Sequence, residues 1–117
     1  MELITRFTPF RMKLSNREPV QLLVEVVNND SADKMLTLSI LLSKTLSFDK
    51  GGYKVDAGER IEKLSPGESK RFYYELFPKP GIREGEIPVK VKLTEHYNSF
   101  DYVQNEIVKS TSLKVEE

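Results

Sequence analysis

The stretch Val20-Gln21-Leu22-Leu23-Val24-Glu25-Val26-Val27 carries an aliphatic residue at every second position and stops at Asn28-Asn29-Asp30. Period two belongs to a strand, whose successive side chains point to opposite faces, so Val20, Leu22, Val24 and Val26 form one buried face. Working outward, Phe72, Tyr74 and Leu76 alternate with Arg71, Tyr73 and Glu75. Ile87, Val89, Val91 and Leu93 alternate with Pro88, Lys90, Lys92 and Thr94, as in a strand with one wet side. Ile107, Leu113 and Val115 mark the last strand. Met35-Leu-Thr-Leu-Ser-Ile-Leu-Leu42 is rich enough in leucine for a helix. A helix would scatter Leu36, Leu38, Ile40 and Leu42 round its axis, whereas a strand collects them on one face, so we read it as a strand.

Turn chemistry separates these runs. Asn28-Asn29-Asp30 tolerates left-handed backbone, Pro66-Gly67 suits a type II turn, and Pro80-Gly81 closes another connection. Strands are expected near residues 3–14, 19–28, 34–44, 59–64, 69–77, 86–95 and 103–116. Pro9 confines the first to an edge or a break where an opening strand changes sheets. Residues 46–58 form the one long connection, with Phe48, Gly51, Gly52, Tyr53 and Val55 in a loop able to pair as an extra edge strand. About seven short antiparallel strands without a helix define an all-β, immunoglobulin-like β-sandwich of two sheets. The expected core is Leu22, Val24, Val26, Leu38, Ile40, Phe72, Tyr74, Leu76, Val89 and Val91. Residues 1–117 should form a single domain, the usual arrangement for a chain of this size.

Eighteen basic and eighteen acidic residues leave no net charge, and neither sign gathers into a long block. Nucleic-acid binding wants a basic stripe, so no nucleic-acid partner is expected. Zero net charge also weakens repulsion between copies, which favours a homodimer. The absence of cysteine removes disulfides, thiolate metal sites and cysteine nucleophiles together. Glu2, Arg6 and Arg11 interrupt any apolar run at the N-terminus, so no signal peptide and no membrane insertion is expected. The chain reads as cytoplasmic, or as an excised part of an exported protein. Lys and Glu dominate its charges while Gln occurs only at Gln21 and Gln104, a bias in the direction of thermophile proteins.

Alternate loops of such a sandwich reach opposite ends, so Asn28–Lys34, Ser65–Ser69 and Glu95–Tyr102 should meet. His96, Tyr97, Asn98, Phe100 and Tyr102 are the candidate ligand-binding residues there, since aromatic faces beside planar polar groups fit a sugar or a peptide. The alternative is ordinary turn chemistry, with the aromatics folded back on the end of the sandwich. His96 is the only histidine, so no two-histidine metal site or histidine-paired nucleophile is expected from one chain. Asp30, Asp33, Glu95 and Asp101 lack the spacing of a calcium loop. There is no Gly-rich phosphate loop, G-x-S-x-G or H-E-x-x-H motif, and we expect no enzyme, no metal and no cofactor. Leu23 and Val27, and likewise Met35 and Leu41, fall on nominally wet faces and are candidate interface residues.

Val24-Glu25-Val26-Val27-Asn28-Asn29, Leu64-Ser65-Pro66-Gly67-Glu68-Ser69, Pro80-Gly81 with its alternating strand, and Gln104-Asn105-Glu106 recur in a recognisable order. This order resembles the CARDB domains, immunoglobulin-like sandwiches of bacterial and archaeal surface proteins associated with adhesion. The similarity spans about residues 18–115, with Lys63–Tyr74 its most specific unit; Thr94-Glu95 stands where the family often has aspartate, and Tyr74 where it has tryptophan. The resemblance implies the same fold and a non-catalytic, adhesion-type interaction module. Such a module would bind a protein partner or a second copy of itself through a sheet face or edge strand. A carbohydrate- or small-ligand-binding module using loops 28–34 and 95–102 is the alternative.

Overall fold

Every second residue of β3 (Val20–Val27) is buried, as are Leu36, Leu38, Ile40 and Leu42 of β4 (Lys34–Leu42) and Val89, Val91 and Leu93 of β8 (Gly85–His96). These stripes face one another across the computed structural model, which describes residues 1–117 and consists of strands and loops only. One sheet has the order β1 (Glu2–Thr8), β3, β7 (Ser69–Pro78), β5 (Leu46–Ser47). The other runs β2 (Arg11–Lys13), β9 (Val103–Glu116), β8, β4, β6 (Asp56–Leu64). Between them lies a cluster of 20 buried apolar residues. The fold is an immunoglobulin-like β-sandwich.

Register follows the hydrophobic pattern. Leu22 pairs with Tyr74 and Val24 with Phe72, while Leu38 pairs with Leu93 and Ile40 with Val91. A one-residue slip of any pair would turn these side chains to water. Phe72 and Tyr74 are half-buried, packed against the core rather than sealed within it. The Pro66-Gly67 and Pro80-Gly81 turns hold glycine at φ +79° and +90°, in the left-handed region where a Cβ is strained.

The count of about seven antiparallel strands needs correction to nine, one pairing being parallel. The expected strand 3–14 breaks after Thr8; β1 pairs with β3 in one sheet, and β2 continues in the same direction in the other. Since β9 already runs in that direction, Arg11–Lys13 meet Lys114–Glu116 in parallel. The ninth strand is β5, inside the long connection, where Leu46 and Ser47 pair with Pro78 and Phe77. That connection is built rather than slack. Asp49 accepts hydrogen bonds from the Tyr53 and Lys54 amides at 2.9 and 2.8 Å, and Phe48 packs on Tyr74 with ring centroids 5.5 Å apart. β6 also begins three residues before the expected 59, at Asp56 opposite Leu41.

Candidate functional site

Three loops meet at one end, as connectivity requires, and Asn28 ties two of them, 28–34 and 65–69. It is fully buried. Its Nδ2 donates to the carbonyls of Ala32 (2.9 Å) and Leu64 (2.8 Å), and its Oδ1 accepts from the Asp30 amide at 3.0 Å. The Asn28 amide donates to the Glu68 carbonyl, and the Gly67 amide to the Asn28 carbonyl. An asparagine read from the sequence as a turn former and as one of the polar groups at this end is thus the bracket between loops 28–34 and 65–69.

Beside it, the Lys34 ammonium lies 2.8 Å from Glu95 and 3.3 Å from Asp30, which also faces the N-terminal ammonium at 3.4 Å. The hydrogen bond from Lys34, then that from the N-terminus, lowers the Asp30 pKa; the bond to Glu95 raises that of Lys34. One step along the strand, His96 Nε2 is 2.7 Å from the Thr37 hydroxyl, while its buried Nδ1 has no partner.

The five expected ligand residues separate. His96, Tyr97 and Asn98 line a groove of about 580 Å³ with Asp33, Lys63 and Gln104 among its other walls. Phe100 folds back instead, its ring edge-on to His96 at 5.1 Å and under the Arg60 guanidinium at 4.8 Å. Tyr102 is exposed and outside the groove. The expected interface residues also divide. Leu23 and Val27 lie half-buried on the outer face of the first sheet, Leu23 beside Arg6 and Tyr73. Met35 and Leu41 lie on the outer face of the second, at the two ends of β4, roughly 20 Å apart at about 3.3 Å per residue. The four therefore form no single patch.

An edge that the sequence reading did not single out is more informative. β9 is paired with β8 along nearly its whole length, but β2 covers its other side only at Lys114–Glu116. From Val103 to Leu113 that side has no partner strand. Val103 and Val108 are 59% and 52% exposed along it, and the only charged side chains are Glu106 and Lys109. Lys109 turns its ammonium onto the Leu3 carbonyl at 3.2 Å. The opposite edge of the same sheet, β6, carries Asp56, Glu59, Arg60, Glu62 and Lys63, a charge density that blocks strand addition. On that flank β7 is open over Ser69–Leu76, but it carries Lys70, Arg71 and Glu75, and Tyr74 donates across to Glu59 at 3.2 Å. Burial, then the neighbouring Glu59 carboxylate, pushes the Tyr74 pKa upward. A sequence signal for β9 did exist in its low charge, but it needed the topology to show that this strand is an edge.

No family model and no curated protein matches the chain. Solved structures do resemble it. AvmM, which catalyses macrocyclization in alchivemycin A biosynthesis, is 12% identical, with 99% of this chain and 88% of that one covered at a TM-score of 0.63. An uncharacterized Nocardia farcinica protein with an immunoglobulin-like fold is 9% identical, with 96% and 97% covered at 0.55. Self-complemented MyfA, the major subunit of Myf fimbriae from Yersinia enterocolitica, is 14% identical over all of both chains at 0.50. At such identities the likeness establishes the immunoglobulin-like class, and function has to be argued from the site. No helix is long and apolar enough to cross a membrane.

Proposed function

We propose that the chain is a non-catalytic protein-interaction module, a single immunoglobulin-like sandwich that takes an extended segment of a protein partner onto the open edge of β9. The observation that carries this reading is the unpaired side of Val103–Leu113. Such an edge offers a row of backbone donors and acceptors, and strand addition satisfies them while side chains on alternate positions select the partner. The charged β6 edge supports the same reading, because the sheet is protected against pairing on one side only. The CARDB resemblance of Lys63–Tyr74 agrees with an adhesion-type role.

A library of ten-residue extended peptides displayed against the immobilised protein tests the proposal. Selected peptides should bind the native chain and lose binding to Val108→Lys, which puts a second positive charge beside Lys92 on the docking edge, the device by which exposed edges are protected. Selected peptides that bind Val108→Lys as well as the native chain would rule β9 out as the docking edge.

A second reading rests on the groove beside His96. The exposed Tyr97 ring, Asn98 and Gln104, with the unpartnered His96 Nδ1 behind them, suit a carbohydrate or another small polar ligand. A glycan array probed with the native chain and Tyr97→Ala tests it. Binding that survives the substitution would place the sugar elsewhere.

A further inference from the structure

We infer that the strand taken up by β9 is β9 of a second copy, paired antiparallel about a two-fold axis through Val108; this inference rests on the open-edge reading above. Directly opposed residues of an antiparallel pair share a face. A two-fold normal to the sheet must therefore pass through a residue position, not between two. Among these positions, side-chain chemistry and the length of the open segment select one.

An axis at Glu106 opposes two glutamates, and one at Lys109 opposes two lysines; like charges directly opposed are destabilising. An axis at Ile107 pairs Val103 with Thr111 and leaves Ser112 and Leu113 without a strand residue opposite. The axis at Val108 opposes no like charges, and because Val108 is the midpoint of Val103–Leu113 it alone pairs the whole open segment, while Lys109, opposite Ile107, keeps its ammonium on the Leu3 carbonyl. It opposes Val108 to its own copy, Glu106 to Ser110, Ile107 to Lys109 and Asn105 to Thr111. Val108, half-exposed in the isolated chain, is covered.

Charge complementarity on the outer face favours the same register. Ser110 is flanked in its row by Lys90, and Thr94 pairs with Glu106. With the axis at Val108, Glu106 of one copy enters the row of Ser110 and Lys90 of the other. It stands two strand spacings from Lys90, roughly 10 Å between Cα atoms, within reach of the two extended side chains. Glu106 has only a loose partner within its own chain, Lys92 at 3.9 Å, so it is available for this contact. The arrangement makes two such pairs by symmetry. Zero net charge adds no long-range repulsion between copies. The added strand also continues a five-stranded sheet into one of ten, with β6 of each copy as its protected edge.

The chain has no cysteine, so single-cysteine variants report the register directly. Under mild oxidation Val108→Cys should form a covalent dimer almost completely. Ser110→Cys should stay monomeric under the same conditions, because its two copies would lie roughly 13 Å apart along the strands and a disulfide tolerates no more than about 7 Å between Cα atoms. Sedimentation of the native chain should show a dimer that dissociates on dilution, and Val108→Lys should weaken it at least about tenfold. Both positions are exposed, and far-ultraviolet circular dichroism checks that each variant keeps the fold. A native chain that sediments as a monomer, with no covalent dimer of Val108→Cys, would overturn the second copy as occupant. Peptide binding that Val108→Lys abolishes would then leave the open-edge reading standing, and its absence would remove both. Cross-linking of Ser110→Cys in preference to Val108→Cys would overturn the register.

Discussion

Replacing Asn28 by alanine should destabilise the fold by about 2–4 kcal/mol although the residue lies in a loop. The side chain is fully buried and makes three hydrogen bonds, two donated to carbonyls and one accepted from an amide. A hydrogen bond contributes about 1 kcal/mol net, whereas a buried group left without its partner costs about 1–3 kcal/mol. The bond to the Leu64 carbonyl is the buried one, so its loss sets the larger share. Ala32 and Asp30 are exposed enough for water to recover part of what they lose. Equilibrium urea unfolding measures the difference. With a slope of about 1–3 kcal/mol per molar, the midpoint should fall by about 0.7–4 M. Asn28→Asp should do no better than alanine, because a carboxylate offers both carbonyls no donor. Asn29→Ala, one residue on and exposed, should stay within about 0.5 kcal/mol of the native chain. If Asn28→Ala and Asn29→Ala unfold together, loops 28–34 and 65–69 do not depend on this side chain and the reasoning fails.

Three further outcomes are expected. Val24→Ala or Val91→Ala should cost about 1–3 kcal/mol through lost burial and an unfilled cavity, and Lys92→Ala almost nothing; urea midpoints in the reverse order would put the wrong face inward. Asp49 is held below the usual aspartate pKa by the Lys54 amide first and also by that of Tyr53. Its folded value lies under its unfolded one, so its contribution is complete above an unfolded pKa of about 3.9 and is lost as pH falls through the lowered value. Amide exchange at Tyr53 and Lys54 should accelerate only below the ordinary aspartate range, and Asp49→Ala should abolish that step; a step at neutral pH would point to another group. Tyr74→Phe removes the hydroxyl that meets Glu59 at 3.2 Å but keeps the ring on Phe48, and should cost no more than about 1.5 kcal/mol in the same urea assay.

The sandwich was legible because period two is a local property. Val20–Val27 and Met35–Leu42 state which face is buried before any partner is known, and the structure buries those faces against each other from opposite sheets. What the sequence concealed depends on distant parts. Leu46-Ser47 has too few residues for a pattern, and its pairing is fixed by Phe77 and Pro78 of β7. The parallel contact of β2 with β9 follows from a change of sheet after Thr8, which Pro9 hinted at without giving the partner. The gathering of loops 28–34, 65–69 and 95–102 followed from connectivity. The inward turn of Phe100 did not, since a loop residue has no periodicity to orient it. The candidate docking edge was hidden for the same reason. Val103–Leu113 reads as an ordinary strand, and only the short reach of β2 leaves its side bare.

Residue-by-residue hydrogen exchange along β9 tests that bare edge most directly. In dilute native protein, amides between Asn105 and Leu113 that point to β8 should be protected, and the alternating ones that point away should exchange nearly as fast as in an unfolded chain. When the edge is occupied, by a second copy at high protein concentration or by a selected peptide, the alternation should give way to uniform protection. Outward amides that stay fast at every concentration and with every bound peptide, while the partner still binds, would contradict strand addition at β9.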